Sequence, residues 1–274
     1  MSFDRYAVIG NPVEHSKSPL IHAAFASQTG QQLRYDRILA PIDGFRAAVN
    51  TFYKGGGKGL NVTVPFKEQA FQLATRLSRR AQLAGAVNTL RFDDSTIFGD
   101  NTDGAGLCTD IRDNLGVPLQ GKRILLLGAG GAARGVLQPL LAEQPASLTI
   151  ANRTDSKAGQ LAEQFASLGP ITGGGYAALA GQSFDIVINA TSASLANEQP
   201  PLPAGCFASG SLAYDMMYGK GQTPFLLFAE QQGAARQTDG LGMLVEQAAE
   251  SFLLWRGIKP RTLPLIAQIR AGLL

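Results

Sequence analysis

Cysteine and histidine are nearly missing from this chain, with two of each in 274 residues. Cys108 and Cys206 stand far apart and outside any CxxC pattern, which argues against a disulfide framework or a structural zinc site and points to reduced thiols in a cytoplasmic protein. His15 and His22 have no acidic or cysteine ligands clustered with them, so no metal is expected. Long apolar runs are lacking too. No segment approaches the ~20 uninterrupted apolar residues of a membrane span, and the first six residues carry charges where a signal peptide needs its apolar core. There is no strong excess of one charge either. The formal net charge is +3, and its basic residues are scattered except at Arg76, Arg79 and Arg80. Without aromatic interleaving, that pattern excludes a nucleic-acid surface and leaves small anions as partners.

What is present is a globular composition, 45% hydrophobic and 16% charged, in a chain long enough for two domains. From Tyr6 to about Phe98, β-type runs (6–9, 34–40, 59–64 and 86–92) alternate with helical patterns (19–29 and 66–84). Such alternation predicts α/β architecture with a mostly parallel sheet. Gly55-Gly-Gly-Lys-Gly59 reads as a mobile loop. A second series follows Gly121: strands at 123–127, 147–152, 184–190 and 212–215, helices at 132–143 and 156–168. Leu125-Leu-Leu and Ile186-Val-Ile are continuous apolar runs, as in strands covered on both faces. That series predicts a Rossmann-type domain. Near the C-terminus, Met243, Leu244, Ala248, Phe252 and Trp255 form one helical stripe with Glu246 and Glu250 off it. This helix is expected to pack back on the first domain, making that domain discontinuous in sequence.

Leu125-Leu-Leu-Gly128-Ala129-Gly130-Gly131-Ala132-Ala133 is a strand entering a glycine turn that opens a helix, the usual seat of a dinucleotide pyrophosphate. Gly128 allows the tight turn, Gly130 lets the backbone approach phosphate, and Ala133 lets helix and strand pack closely. An NAD site would end its second strand in an acidic residue. Here that strand ends in Asn152-Arg153-Thr154, with Lys157 a turn later. Arg153 offers a donor fork and Lys157 a second positive charge for a 2′-phosphate, so NADP is the expected cofactor.

Two polar turns carry the remaining chemistry: Asn61-Val-Thr63-Val-Pro-Phe-Lys67 and Gly99-Asp-Asn-Thr-Asp103-Gly104. Reducing a ketone needs a proton delivered to the developing alkoxide, which Lys67 can supply while Asp103 orients its ammonium. In isolation the same residues also read as a helix N-terminal lysine and an Asx-turn aspartate. Ser16 and Ser18 before Pro19 likewise read as a helix N-cap.

Seven segments in order resemble the motifs of the shikimate dehydrogenase family: Asn11-Pro-Val-Glu-His-Ser16-Lys-Ser18-Pro19, the Asn61–Lys67 run, Gly85-Ala-Val-Asn88-Thr, Asp100-Asn-Thr-Asp103-Gly, Asn152-Arg-Thr154, Asn189-Ala-Thr-Ser192 and Asp239-Gly-Leu-Gly-Met-Leu-Val-Glu-Gln247-Ala. The resemblance implies NADPH-dependent, reversible reduction of 3-dehydroshikimate to shikimate, on the route to chorismate and aromatic amino acids. It makes Lys67 and Asp103 the catalytic pair. Ser16, Ser18 and Tyr218 would meet the substrate carboxylate, and Thr63, Asn88, Asp103 and Gln247 the ring hydroxyls and reacting oxygen. It gives Gly128, Ala129, Gly130, Gly131 and Ala132 to the pyrophosphate. Asn152, Arg153, Thr154 and Lys157 would meet the adenosine phosphate, and Thr191, Met216, Gly240 and Met243 the ribose and nicotinamide. The implied domains are a substrate-binding α/β domain, 1–103 completed by helices within 240–274, and a Rossmann-type NADP-binding domain, 104–239. Arg79 and Ser194 depart from the family pattern, which leaves their cofactor contacts open. Oligomeric state is not legible, and a homodimer stays open. Rivals are a dehydrogenase that also oxidises quinate or uses NAD, of which Arg153 and Lys157 oppose only the use of NAD, and a non-catalytic sensor, which would have lost Lys67 or Asp103.

Overall fold

Short apolar runs alternating with amphipathic segments build two sheets in the computed structural model, which describes residues 3–191, 200–219 and 221–272. Ser194 lies outside the described residues. The chain divides into two units, Met1–Gly106 with Leu244–Leu274, and Leu107–Met243. The division falls a few residues past the expected junctions, so that 104–106 group with the first unit and 240–243 with the second. The second junction has a local cause: the backbone N–H of Met243 donates to the Tyr214 hydroxyl at 3.2 Å, and that of Gly240 to the Met217 carbonyl at 3.0 Å.

The first unit runs β1 (Asp4–Gly10), α1 (Ser18–Thr29), β2 (Leu33–Leu39), α2 (Phe45–Lys54), β3 (Gly57–Val62), α3 (Lys67–Leu73), β4 (Arg76–Leu77), α4 (Arg79–Ala84), β5 (Thr89–Asp93) and β6 (Thr96–Asp100). Its sheet order is β2-β1-β3-β5-β6-β4. Three pairings are parallel, β1 with β2 and β3, and β4 with β6; β5 pairs antiparallel with both β3 and β6. The sheet is therefore mixed, because β5 and β6 form a hairpin, and a hairpin reverses direction.

Two sequence expectations fail in this unit, and one helix is added. The stretch 66–84 is not one helix: Thr75 pairs with Ile97 through both its N–H and its hydroxyl, drawing β4 onto the sheet edge, and the Ser78 side chain then caps α4 by accepting from the Ala81 N–H. α2 was not anticipated, although Phe45, Val49 and Phe52 recur at helical spacing and are its buried residues. The glycine-rich 55–59 segment is no mobile loop, since β3 begins at Gly57. A Cβ at Gly57 would lie 2.3 Å from the Phe52 ring, and one at Gly59 2.5 Å from Trp255 Nε1. These glycines serve close packing.

The second unit contains α5 (Asp103–Thr109, of which Leu107 onward belongs here), β7 (Arg123–Leu127), α6 (Gly131–Ala142), β8 (Ser147–Ala151), α7 (Asp155–Phe165), β9 (Ile171–Gly174), β10 (Phe184–Asn189), β11 (Phe207–Asp215), α8 (Pro224–Gln231) and β12 (Arg236–Thr238). The strands order as β12-β11-β10-β7-β8-β9, all parallel, with the direction of winding reversing between β7 and β10. That is the doubly wound arrangement, which receives a nucleotide at the carboxyl ends of its central strands. Leu125, Leu126, Ile186, Val187 and Ile188 are fully buried, each such side chain worth about 1.5–3 kcal/mol in removal from water.

The chain ends in α9 (Leu241–Arg256) and α10 (Leu263–Arg270). Glu246, expected off the apolar stripe, is only 1% exposed and accepts a hydrogen bond from Thr262, the residue that opens α10. The stripe pattern missed it because α10 covers that side of α9's polypeptide through this contact.

His22 of α1 supplies a testable pH dependence. Its ring is fully buried, stacks on Tyr35 at 4.3 Å, and lies 3.2 Å from Asn61 Oδ1 through Nε2. Burial pushes its pKa down to about 3 despite the Asn61 hydrogen bond, from an ordinary 6.5. The unfolded chain therefore binds a proton that the folded unit refuses. Stability is full above pH 6.5 and drains as pH falls toward 3. Urea midpoints at neutral and acid pH, read by fluorescence of Trp255, the single tryptophan, should show this slope. His22→Phe should flatten it, and an unchanged slope would mean that His22 is not the titrating group.

Candidate active site

Backbone hydrogen bonds between strand ends bring the two polar turns together. The N–H of Val62 donates to Asn88 O (2.8 Å), that of Val87 to Lys67 O (2.9 Å) and that of Asn88 to Asp100 O (3.0 Å). Lys67 thereby starts α3 beside Asn88, and Asp103 starts α5 just past β6. Lys67 Nζ lies 2.6 Å from Asp103 Oδ2, with side-chain exposures of 32% and 15%. The pair is sheltered yet reachable.

Asn88 fixes the other carboxylate oxygen. Its Nδ2 donates to Asp103 Oδ1 at 2.8 Å and to Thr102 Oγ1 at 2.9 Å, while its Oδ1 accepts from the Thr102 N–H and the Thr89 hydroxyl, each at 2.9 Å. Gln247 of α9 reaches the same group: its Oε1 is 3.4 Å from both Asn88 Nδ2 and Thr102 Oγ1. Behind them Ser251 Oγ sits 2.7 Å from Thr89 Oγ1 and accepts from Asn61 Nδ2 at 2.9 Å. The supporting roles of Asn61, Thr89, Thr102 and Ser251 were not read from the sequence. Ser251 carried one usable signal, a hydroxyl four residues after Gln247 and so on the same face of α9.

A second cluster lies where β1 leads into α1. Ser18 opens α1 with Pro19 behind it, no side chain caps the helix, and the Ser18 N–H donates to Ser16 Oγ at 3.3 Å. Tyr35 donates to Asn61 Oδ1 at 2.7 Å. Burial pushes the Tyr35 hydroxyl far above the ordinary phenol range, so it is a neutral donor. Asn61 therefore links Tyr35 and His22 of α1 to the Asn88 network. Thr63 is half-buried after β3, and its methyl would lie 2.4 Å from a Cβ at Gly10. Tyr218 belongs to the second unit, where it is exposed.

In the second unit Gly128 follows β7 with φ +105, and a Cβ there would meet the Thr191 methyl at 3.1 Å, so only glycine fits without strain. Gly130, Gly131 and Ala132 at the start of α6 are exposed, Ala129 is half-buried, and a Cβ on Gly130 or Gly131 would meet no atom within 4 Å. α6 has no side-chain cap, which leaves its first N–H groups facing open space. Arg153, Thr154 and Lys157 are exposed after β8, and Asn152 Nδ2 donates to Thr154 O at 3.0 Å. Among the described residues no carboxylate pairs with Arg153 or Lys157. Thr191 is held by Asn189, whose Oδ1 accepts from both its N–H (3.1 Å) and its hydroxyl (2.7 Å). Met216, Gly240 and Met243 are buried. An uncapped helix start, a backbone cradle and two unpaired cations suit a dinucleotide with an extra phosphate.

Arg79 is exposed at the start of α4, whereas Arg80 pairs with Asp100 at 2.6 Å. No group of three or more His, Cys, Asp or Glu able to hold a metal occurs among the described residues, and no described helix is long and apolar enough to cross a membrane.

Three family profiles match the chain: "Shikimate dehydrogenase substrate binding domain" over residues 8–90, "Shikimate / quinate 5-dehydrogenase" over 111–197 and "Shikimate 5'-dehydrogenase C-terminal domain" over 240–270. The shikimate dehydrogenase (NADP(+)) of Dechloromonas aromatica is 67% identical over 270 residues, 98% of each chain, and that of Nitrosospira multiformis is 63% identical over the same shares. A crystal structure of the Thermus thermophilus shikimate 5-dehydrogenase in complex with NADP(H) and shikimate superposes with a TM-score of 0.86 at 32% identity, covering 98% of this chain and 99% of that one. With both glycine turn and polar turns carried inside these matches, the chain belongs to the shikimate dehydrogenase family.

Proposed function

We infer that this chain is an NADP-dependent shikimate dehydrogenase, reversibly reducing 3-dehydroshikimate to shikimate, with Lys67 and Asp103 handling the proton. The observation that carries the proton roles is the 2.6 Å Lys67–Asp103 pair with its second carboxylate oxygen held by Asn88. The first unit, Met1–Gly106 with Leu244–Leu274, would be the substrate-binding domain, and the second, Leu107–Met243, the NADP-binding domain.

When bound, NADPH would supply the hydride for the substrate's carbonyl carbon. Gly128 to Ala132 would hold its pyrophosphate by backbone N–H groups, Asn152, Arg153, Thr154 and Lys157 its adenosine phosphate, and Thr191, Met216, Gly240 and Met243 its ribose and nicotinamide. As charge develops on the carbonyl oxygen, the Lys67 ammonium stabilises it and donates a proton. Asp103 aims the ammonium and accepts from a ring hydroxyl. In the oxidation direction neutral Lys67 takes the hydroxyl proton back. Lys67 is partly exposed, which lets solvent restore its protonation between turnovers.

Ser16 and Ser18, with Tyr218, bind the carboxylate, and Thr63, Asn88 and Gln247 meet the ring oxygens. A small acid bearing three oxygen substituents demands such convergent partners, and an analogue lacking one leaves buried groups unpaired. Purified protein should oxidise NADPH on addition of 3-dehydroshikimate and yield shikimate; no NADPH loss with that ketone would overturn the assignment. Quinate, or NAD in place of NADP, should be used poorly. The enzyme is proposed to be cytoplasmic and homodimeric, and light scattering at the mass of one chain, 28.9 kDa, would exclude the dimer.

A further inference from the structure

A carboxylate held only by hydroxyls and a tyrosine would lose much of its hydration without meeting a compensating charge. Arg37 on β2 offers that charge. Its Nη2 donates to the Ser16 carbonyl at 2.6 Å and its Nε to the same oxygen at 3.2 Å. Two of five guanidinium N–H groups are thus used on one neutral oxygen, leaving three free to act elsewhere. The adjacent Asp36 is engaged by Arg34 at 3.0 Å, and no carboxylate pairs with Arg37 among the described residues. Its charge also reaches the neighbouring Tyr35 hydroxyl, where it opposes the burial-driven rise.

We propose that Arg37 is the cation that recognises the substrate carboxylate, holding the Ser16 turn in place and setting the preference of this site for an acid over an uncharged analogue. This rests on Ser16 and Ser18 being the carboxylate subsite proposed above. Arg37 is exposed, so its replacement should leave the fold intact, which Trp255 fluorescence can check. An exposed cation acts through a screened field, so its contribution depends on salt.

The test compares the protein with Arg37→Gln and Arg37→Lys, using shikimate and its methyl ester as substrates or competitive inhibitors at low and high ionic strength. Arg37→Gln should raise KM for shikimate about two- to fivefold at low salt with kcat unchanged. The ester's constant should scarcely move. Arg37→Lys should recover most of the affinity, and raised salt should weaken shikimate binding in the protein but not in Arg37→Gln. Equal shifts for acid and ester would reduce Arg37 to a brace for the Ser16 turn and overturn the proposal, as would an unchanged KM. An unaltered protein that fails to oxidise shikimate would instead sink the function on which the proposal rests, an outcome visible before any variant is compared.

Discussion

Lys67→Ala should lower kcat at least ~100-fold while KM for 3-dehydroshikimate moves by less than about threefold, the signature of losing a group that acts mainly in the transition state. Lys67 is one-third exposed and packs no core, so the loss should be chemical. Asp103 keeps its hydrogen bond from Asn88 Nδ2 and is not left bare by the substitution. Lys67→Arg should not restore turnover: guanidinium can replace the charge, but it holds its proton too tightly to act as an acid. Stopped-flow single turnovers measure the step directly. A near-normal kcat for Lys67→Ala would remove the residue from the mechanism and turn attention to solvent as the proton source.

Arg153→Ala should raise KM for NADPH roughly 10- to 100-fold, the range for hydrogen bonds to a charged group, and change that for NADH less than about threefold. The contrast follows from position. Arg153 follows the second strand of the nucleotide sheet, where an NAD enzyme carries an acidic ribose partner, and it is exposed with no carboxylate paired to it among the described residues. Lys157, a turn into α7, shares the site and would limit the loss in the single variant. Matched assays with both cofactors decide the matter, and equal losses would show that no 2′-phosphate is read.

Much of the second unit was legible because its strands are buried on both faces and announce themselves as apolar runs. Arg123–Leu127 was located to the residue, and the glycine turn after it follows from backbone geometry that only glycine tolerates at Gly128. The first unit was harder. Its 66–84 stretch has helical periodicity throughout, yet Thr75 finds a partner in Ile97 that no local window contains. Gly57 and Gly59 look like loop residues until Phe52 and Trp255 are seen packed against them. Glu246 looked solvent-facing because its partner, Thr262, comes from a helix beyond the window.

The sequence by itself determined the residue types and their order: the glycine turn between strand and helix, the absent acid and present arginine after β8, a lysine and an aspartate in two separate polar turns, and the succession of motifs that marks the family. Only the tertiary structure decided that Lys67 and Asp103, 36 positions apart, meet at 2.6 Å. The structure alone also showed Asn61 joining Tyr35 to Asn88, and Arg37 bonded to the Ser16 carbonyl. Local propensity acts over a few residues, whereas these meetings depend on how strands β1, β2, β3, β5 and β6 pair, and strand register is fixed by burial across the whole sheet.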